Sequence, residues 1–313
     1  MTANNTYRAA VARRFGGPEV LSVEELTAPP LPAGGVRVAV RVGGVNPVDA
    51  RIRSGSFGGR PPFVPGTEFA GVVVEVARGV AGVHVGDEVV GFGTPASNAD
   101  LVTTSADRIV PRPRDVPWEL AGAVGAVGQT ALTILDALEL PPTACVLVHG
   151  GSGGVGTMLL QFLAAAGNPV VATAGTDRAD HIRTLGATPV TYGPGLESRL
   201  AEDFPDGFDA SIDLAGTPQS GDIGVAIQKA GGAAISITDE VARTHGIRFI
   251  SAQRSQSRLS RVLRDAGAGI LHMPVTSLPL NDIVEIHRIL DTHHAVGKTV
   301  VDLSDNPHLP QEA

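Results

Sequence analysis

The chain has 313 residues, 43% hydrophobic and 18% charged, which is enough for a sizeable core and, from length alone, for two domains. The net charge is −8, and no basic stripe interleaved with aromatics appears, which argues against nucleic acid as a partner. The only cysteine is Cys145, so neither an intrachain disulfide nor a cysteine-built zinc site is possible.

At the N-terminus, Arg8, Arg13 and Arg14 do not precede an apolar run, and a cytoplasmic protein is expected. Residues 1–122 read as β-rich. The run Val36-Arg37-Val38-Ala39-Val40-Arg41-Val42 alternates as a half-buried strand should. Gly71 to Ala77 and Glu88 to Gly91 are further strand-prone runs. Turns at Pro29-Pro30, Gly34-Gly35, Pro61-Pro62 and Gly86-Asp87 separate such pieces. Many short strands with Gly and Pro turns suggest a small barrel. Leu120 to Leu138 is the most apolar long stretch. Gln129, Thr130, Thr133 and Asp136 interrupt it, so it reads as a buried linking helix and not a membrane span.

Strand and helix then alternate through residues 123–262. Strands are expected at 145–149, 169–173, 188–191, 208–213 and 233–237. Helices are expected near 154–166, 177–185, 196–203 and 219–230. That order predicts a doubly wound parallel sheet. After residue 262, Leu280 to Leu290 reads as a helix and Lys298 to Leu303 as a terminal strand. The simplest topology returns 263–313 to the first domain. His293-His294 reads as a solvated loop, and His245 and Arg248, beside a late loop, receive no role.

The first strand of the sheet feeds the run His149-Gly150-Gly151-Ser152-Gly153-Gly154-Val155-Gly156. Gly151, Gly153 and Gly156 fit G-x-G-x-x-G between a strand and a helix, the pattern of a dinucleotide site. Gly151 is expected to permit the turn, Gly153 to admit a pyrophosphate, and Gly156 to let helix and strand pack. Ser152, Gly154 and Val155 complete the loop, and the helix N-terminus offers N–H groups to phosphate. The second strand ends Ala172-Thr173-Ala174-Gly175-Thr176, with no acid at the place where one would grip a ribose 2′-hydroxyl. Asp177 follows closely, and Arg178 can pair with a 2′-phosphate. Together these residues favour NADPH.

Further motifs stand in a recognisable order. They are Arg14-Phe15-Gly16-Gly17-Pro18-Glu19-Val20-Leu21, Val45-Asn46-Pro47-Val48-Asp49, Pro65-Gly66-Thr67-Glu68-Phe69-Ala70-Gly71, Val85-Gly86-Asp87-Glu88-Val89, the glycine loop, and Gly297-Lys298-Thr299-Val300-Val301. As a set they resemble the medium-chain dehydrogenase/reductase superfamily, in its zinc-independent, quinone oxidoreductase-like branch. The resemblance implies an α/β protein, a GroES-like β-barrel domain (1–122, completed by 263–313) plus a Rossmann domain (123–262). It implies NADPH, a homo-oligomer, expected as a homodimer, and hydride transfer to a small-molecule quinone or enone in an interdomain cleft. It places Thr130 and the loop after Ile235 by the nicotinamide, and Tyr192 by the 2′-phosphate.

The zinc-bearing branch has a cysteine before its aspartate and a histidine in Gly-His-Glu. Here Asn46 and Thr67 stand in those stretches, so no metal is expected. Without a Lewis acid, an electron-poor acceptor is favoured over a simple alcohol. The branch's tyrosine after the aspartate is missing from Asp49-Ala50-Arg51, and Asn98 replaces an aromatic. Asn46 is then the candidate for orienting a carbonyl, or else it shapes a turn. Arg51 is the candidate for an anionic or polarised acceptor, or else it is a surface residue. Two other readings stay open: an enoyl reductase of a polyketide-like or acyl substrate, and an NADPH-binding sensor or cyclase with no redox step.

Overall fold

The computed structural model describes residues 6–292 and 296–311. His293 and His294 lie outside the described residues. The chain packs into two compact units, one of Met1–Ala126, Arg254–Gly267 and Met273–Ala313, the other of Val127–Gln253 and Ala268–His272.

The first unit is a β-barrel. A hairpin of β1 (Thr6–Ala12) and β2 (Leu21–Thr27) leads to β3 (Gly35–Gly44), α1 (Pro47–Ser54), β4 (Glu68–Val76), β5 (Glu88–Phe92), β6 (Leu101–Ser105) and β7 (Ile109–Pro111). β3 pairs β4 along its length on one edge, and on the other β6 over residues 35–39. The alternating run in β3 predicts a half-buried strand, yet all of β3 but Arg41 is buried. Its central place explains this, since both edges and both faces are covered. Arg37 is buried with the valines and donates to Pro29 O at 2.5 Å.

The next helix, α2 (Trp118–Leu138), begins in the barrel unit and ends in the other. It has the length and apolar character of a membrane span, but most of it is buried within the protein. The second unit continues with β8 (Val146–His149), α3 (Gly154–Ala165), β9 (Val170–Ala174), α4 (Ala179–Thr184), β10 (Thr188–Thr191), α5 (Leu196–Asp203), β11 (Phe208–Asp213), α6 (Pro218–Ala226), β12 (Gln228–Ser236), α7 (Asp239–His245) and β13 (Arg248–Phe249). All six strands are parallel, in the order β10-β9-β8-β11-β12-β13. That is the 3-2-1-4-5-6 order of a doubly wound dinucleotide fold, with its switch point between β8 and β11.

Two expectations need correction here. The helix expected over 219–230 ends at Ala226, and β12 begins at Gln228. Gly231-Gly232 lies within the strand: a Cβ on Gly232 would come 2.9 Å from Phe208 O, so glycine lets the two strands approach across a register shift. The helix expected over 177–185 divides into a 3-10 turn at Thr176–Arg178 and α4.

The chain then supplies the barrel unit with α8 (Gln256–Gly267), β14 (Val275–Pro279), α9 (Ile283–Thr292) and β15 (Lys298–Asp302). α8 buries Leu259, Val262, Leu263 and Ala266 at helical spacing. β15 runs parallel to β14 and antiparallel to β3, with Val300 opposite Gly44. α9 meets α1 through Arg53, whose guanidinium donates to Asp291 at 2.7 and 2.9 Å, to His287 Nδ1 at 2.9 Å and to Gly16 O at 3.2 Å.

Candidate active site

Each glycine of the loop after β8 has a different task. The left-handed turn is made by Gly150, with φ +79°, and not by Gly151 as expected. Gly151 is instead packed: a Cβ there would come 2.7 Å from Ala172 Cβ and 3.1 Å from Ile182 Cδ1. A Cβ on Gly156 would meet Gly151 O at 2.5 Å and Gly150 O at 2.6 Å, so only glycine lets α3 start this close to the loop. Gly153 differs from both. Its Cβ would meet nothing nearer than Gly150 O at 3.6 Å, so this side of the loop is open. Ser152, Gly154 and Val155 are partly exposed beside it. Thr157 N–H begins the helix ladder by donating to Gly153 O at 2.8 Å. The N–H groups of Gly154, Val155 and Gly156 precede the ladder and have no carbonyl one turn back, which is the geometry that holds phosphate oxygens. The loop thus fits a dinucleotide.

The strand ends beside the loop carry a row of buried polar residues in register: Thr173, His149, Asp213 and Ser236. Thr173 Oγ1 accepts Gly150 N–H at 3.2 Å, and Asp213 Oδ1 accepts the N–H groups of Ala215 and Gly216 at 3.0 and 2.9 Å. Ser236 donates to Asp213 Oδ2 at 2.6 Å and accepts Thr238 N–H at 2.9 Å. Three last-strand side chains therefore pin three consecutive strand-end loops. Burial lowers the pKa of His149 to about 4 against a partial counter-effect from Asp213, and the imidazole is neutral.

At the end of β9 the structure gathers Gly175, Asp177, Arg178 and Tyr192. Asp177 Oδ1 lies 2.8 Å and Tyr192 Oη 3.7 Å from where a Cβ on Gly175 would stand. Arg178 Nε pairs with Asp177 Oδ2 at 3.1 Å. The arginine singled out for a 2′-phosphate therefore already has a carboxylate beside it. Thr130 lies in the middle of α2, as the expected span of the linking helix implies. Ile235 is buried inside β12 opposite Ile212, so only the backbone beyond it can meet a ligand.

In the barrel unit, Asn46 precedes α1, and its N–H donates to Asp49 Oδ2 at 2.8 Å. Its side chain belongs to a buried polar cluster that sequence reasoning missed. Asn46 Nδ2 donates to Glu68 Oε1 at 2.8 Å. Lys298 Nζ donates to Asn46 Oδ1 at 2.7 Å, to Val45 O at 2.6 Å and to Glu68 Oε1 at 3.1 Å. Glu68 Oε2 accepts Ala126 N–H at 2.6 Å. Glu68 is 1% and Lys298 5% exposed. Asp49 accepts Gly66 N–H through its other oxygen at 3.1 Å, and burial pushes its carboxyl up to about 6. Arg51 stays outside this cluster. It is exposed, with its guanidinium 4.9 Å over the Phe57 ring. The signal that could have found the cluster was its charge: Glu68 and Lys298 each sit in an otherwise apolar run.

The residues present do not fit a zinc ion. Asn46 and Thr67 are poor ligands for it, and no group of three or more His, Cys, Asp or Glu suited to a metal occurs among the described residues. Glu68 already has an ammonium against it.

Residues 32–140 match the alcohol dehydrogenase GroES-like domain family, and residues 154–238 the family described as zinc-binding dehydrogenase. The chain is 28% identical over 314 residues to the NADPH-dependent alkenal/one oxidoreductase, chloroplastic, of Arabidopsis thaliana, covering 94% of this chain and 79% of that protein. The quinone oxidoreductase from Coxiella burnetii superimposes with a TM-score of 0.87 at 26% identity, over 95% of this chain and 99% of that one. A mycobacterial protein whose structure was solved with NADPH gives a TM-score of 0.83 at 25% identity, over 95% and 99%. With the barrel family and the dinucleotide family matched in this order on one chain, the protein belongs to the medium-chain dehydrogenase/reductase superfamily, in its quinone oxidoreductase-like branch.

Proposed function

We propose that the chain is an NADPH-dependent reductase that delivers hydride to a quinone or an α,β-unsaturated carbonyl without zinc. The observation that carries this is Gly153, the one glycine of the G-x-G-x-x-G pattern whose missing side chain leaves open space at the start of α3. The reduced nicotinamide supplies the hydride when bound. The N–H groups of Gly154, Val155 and Gly156 balance diphosphate charge. Arg178 answers a 2′-phosphate by turning from Asp177. Asn46 spends one amide hydrogen on Glu68 and keeps a second for an acceptor oxygen. No side-chain acid is assigned, so the anion left by hydride addition takes its proton from water.

The names of the Arabidopsis and Coxiella proteins support the acceptor class, and the first of them supports NADPH. Asn46 and Thr67 at the ligand positions and the Lys298 ammonium against Glu68 support the metal-free part. A homodimer and a cytoplasmic location belong to the same reading. β13 supports the dimer: it is the edge of the parallel sheet, and its Phe249 is 44% exposed.

The test is loss of nicotinamide absorbance with a panel of quinones and enones, with and without chelator. Activity on at least one acceptor class, unchanged by chelator, is expected. Binding of NADPH with no oxidation by any acceptor would overturn the reductase reading, and loss of activity in chelator its metal-free part. Gly153→Val should keep the fold, since the space is free, yet abolish binding of both NADPH and NADH in a fluorescence titration. Light scattering and cell fractionation check the dimer and the location.

A further inference from the structure

The Lys298 ammonium is enclosed by oxygen. Its three acceptors are a backbone carbonyl (Val45), an amide carbonyl (Asn46) and a carboxylate (Glu68). An ammonium has three donors, and all three are used. A second buried carboxylate, Asp49, feels the same charge. Carbonyl and carboxylate oxygens drawn from separate elements are also the donor set by which proteins hold hard divalent cations.

The backbone is shaped to bring this lysine in. Gly297 has φ +68°, and a Cβ on it would collide with Pro274 O. Gly44 has no room for a Cβ beside Glu68. A buried ion pair is a costly way to gain stability, because both charges lose their hydration. Apolar residues of similar size would pack at lower cost, so the retained charge points to a task beyond packing.

We propose that Lys298 is the resident cation of the barrel unit: its ammonium fills an oxygen cage formed by Val45, Asn46 and Glu68, and by filling it excludes a divalent metal. The proposal rests on the metal-free reading above and deepens it. The protein is metal-free by occupation as well as by the loss of soft ligands at positions 46 and 67. Lys298 also positions Asn46, because it takes Oδ1 and so turns the amide nitrogen toward Glu68.

The experiment compares the wild-type chain with Lys298→Ala, using Mn²⁺ as the probe and no substrate. The wild type should take up no stoichiometric Mn²⁺ or Zn²⁺ by elemental analysis after gel filtration. Lys298→Ala should bind one Mn²⁺ per chain, roughly tenfold or more tighter than the wild type, since the cage then holds uncompensated oxygens. The double variant Lys298→Ala/Glu68→Gln should lose that site. If Lys298→Ala does not fold in chelator, Mn²⁺ should fold it, as followed by circular dichroism. One metal per wild-type chain overturns the proposal. So does a Lys298→Ala chain that neither binds Mn²⁺ nor is folded by it. Wild-type reductase activity in chelator is read separately. A chain that stays active there while Lys298→Ala takes no metal loses only this inference, whereas a wild type that reduces no acceptor loses the reductase reading alone.

Discussion

Asp177 and Arg178 show how one neighbour changes the meaning of a residue. Arg178 alone favours a phosphorylated ribose, but its Nε is 3.1 Å from Asp177. A bound 2′-phosphate must compete with that carboxylate and lie near it. Asp177→Asn removes the competitor and should tighten NADPH roughly tenfold while leaving NADH little changed. Arg178→Ala should weaken NADPH by a similar factor. Fluorescence titration of both cofactors decides the matter. Equal affinities in all three chains would place the pair outside the cofactor's reach. Arg51 carries the same lesson. Its charge made it a candidate, while the arginine its helix buries is Arg53, two residues on.

Among elements, α1 and α9 depend on that buried arginine. The Arg53 side chain is 4% exposed and its partner Asp291 37%. Arg53→Ala removes bonds to Asp291, His287 and Gly16 and leaves a void between the helices. A loss of about 2–4 kcal/mol in denaturant unfolding is expected. It is less than a fully buried pair would give, because Asp291 can recover water. A loss under about 0.5 kcal/mol would mean that the helices are held by apolar packing alone.

The elements of the parallel sheet were legible because each has a local signature. β10, α5 and β11 match their expected spans, since β-branched runs, helical spacing and Gly or Pro breaks all act within a few residues. β12 was half misread because Gly231-Gly232 looks like a turn, and only its partner strand reveals the close approach. The glycine loop was legible for the same local reason, although its turn belongs to Gly150. The cluster in the barrel unit was not. Its hydrogen bonds join residues 22, 230 and 252 positions apart, and no local pattern records that.

At the scale of the molecule, three buried groups with large shifts contribute to the response to acid. His149 and His287 both titrate near 4, each lowered first by burial, with Arg53 adding to the shift at His287. Their unfolded values are near the ordinary 6.5, so between pH 6.5 and 4 the unfolded chain binds protons that the folded chain refuses. Stability from these two groups is whole above 6.5 and lost as pH falls through that window, by about 3 kcal/mol each. Asp49 acts in the opposite sense. Its folded value of about 6 exceeds the ordinary 3.8, so the folded chain gains about 3 kcal/mol as pH falls between them. The net expectation is a loss of about 3 kcal/mol from pH 7 to pH 4, read by urea unfolding. Constant stability across that range would show that the two histidines are hydrated in solution.

The barrel unit is assembled from three stretches of sequence, and the pair that closes its charged centre joins Glu68 to Lys298, 230 residues later. During synthesis this imposes an order of events. Apart from a five-residue return, the sheet unit is one continuous stretch that has left the ribosome before β15 is made. Until residue 298 emerges, Glu68 has no counter-charge to bury with, and β3 lacks one of its neighbours. A nascent chain stalled a few residues short of Lys298 should therefore carry a protease-resistant sheet unit and a protease-sensitive barrel. Release of β15 should then protect both, because the barrel's first half waits for Lys298.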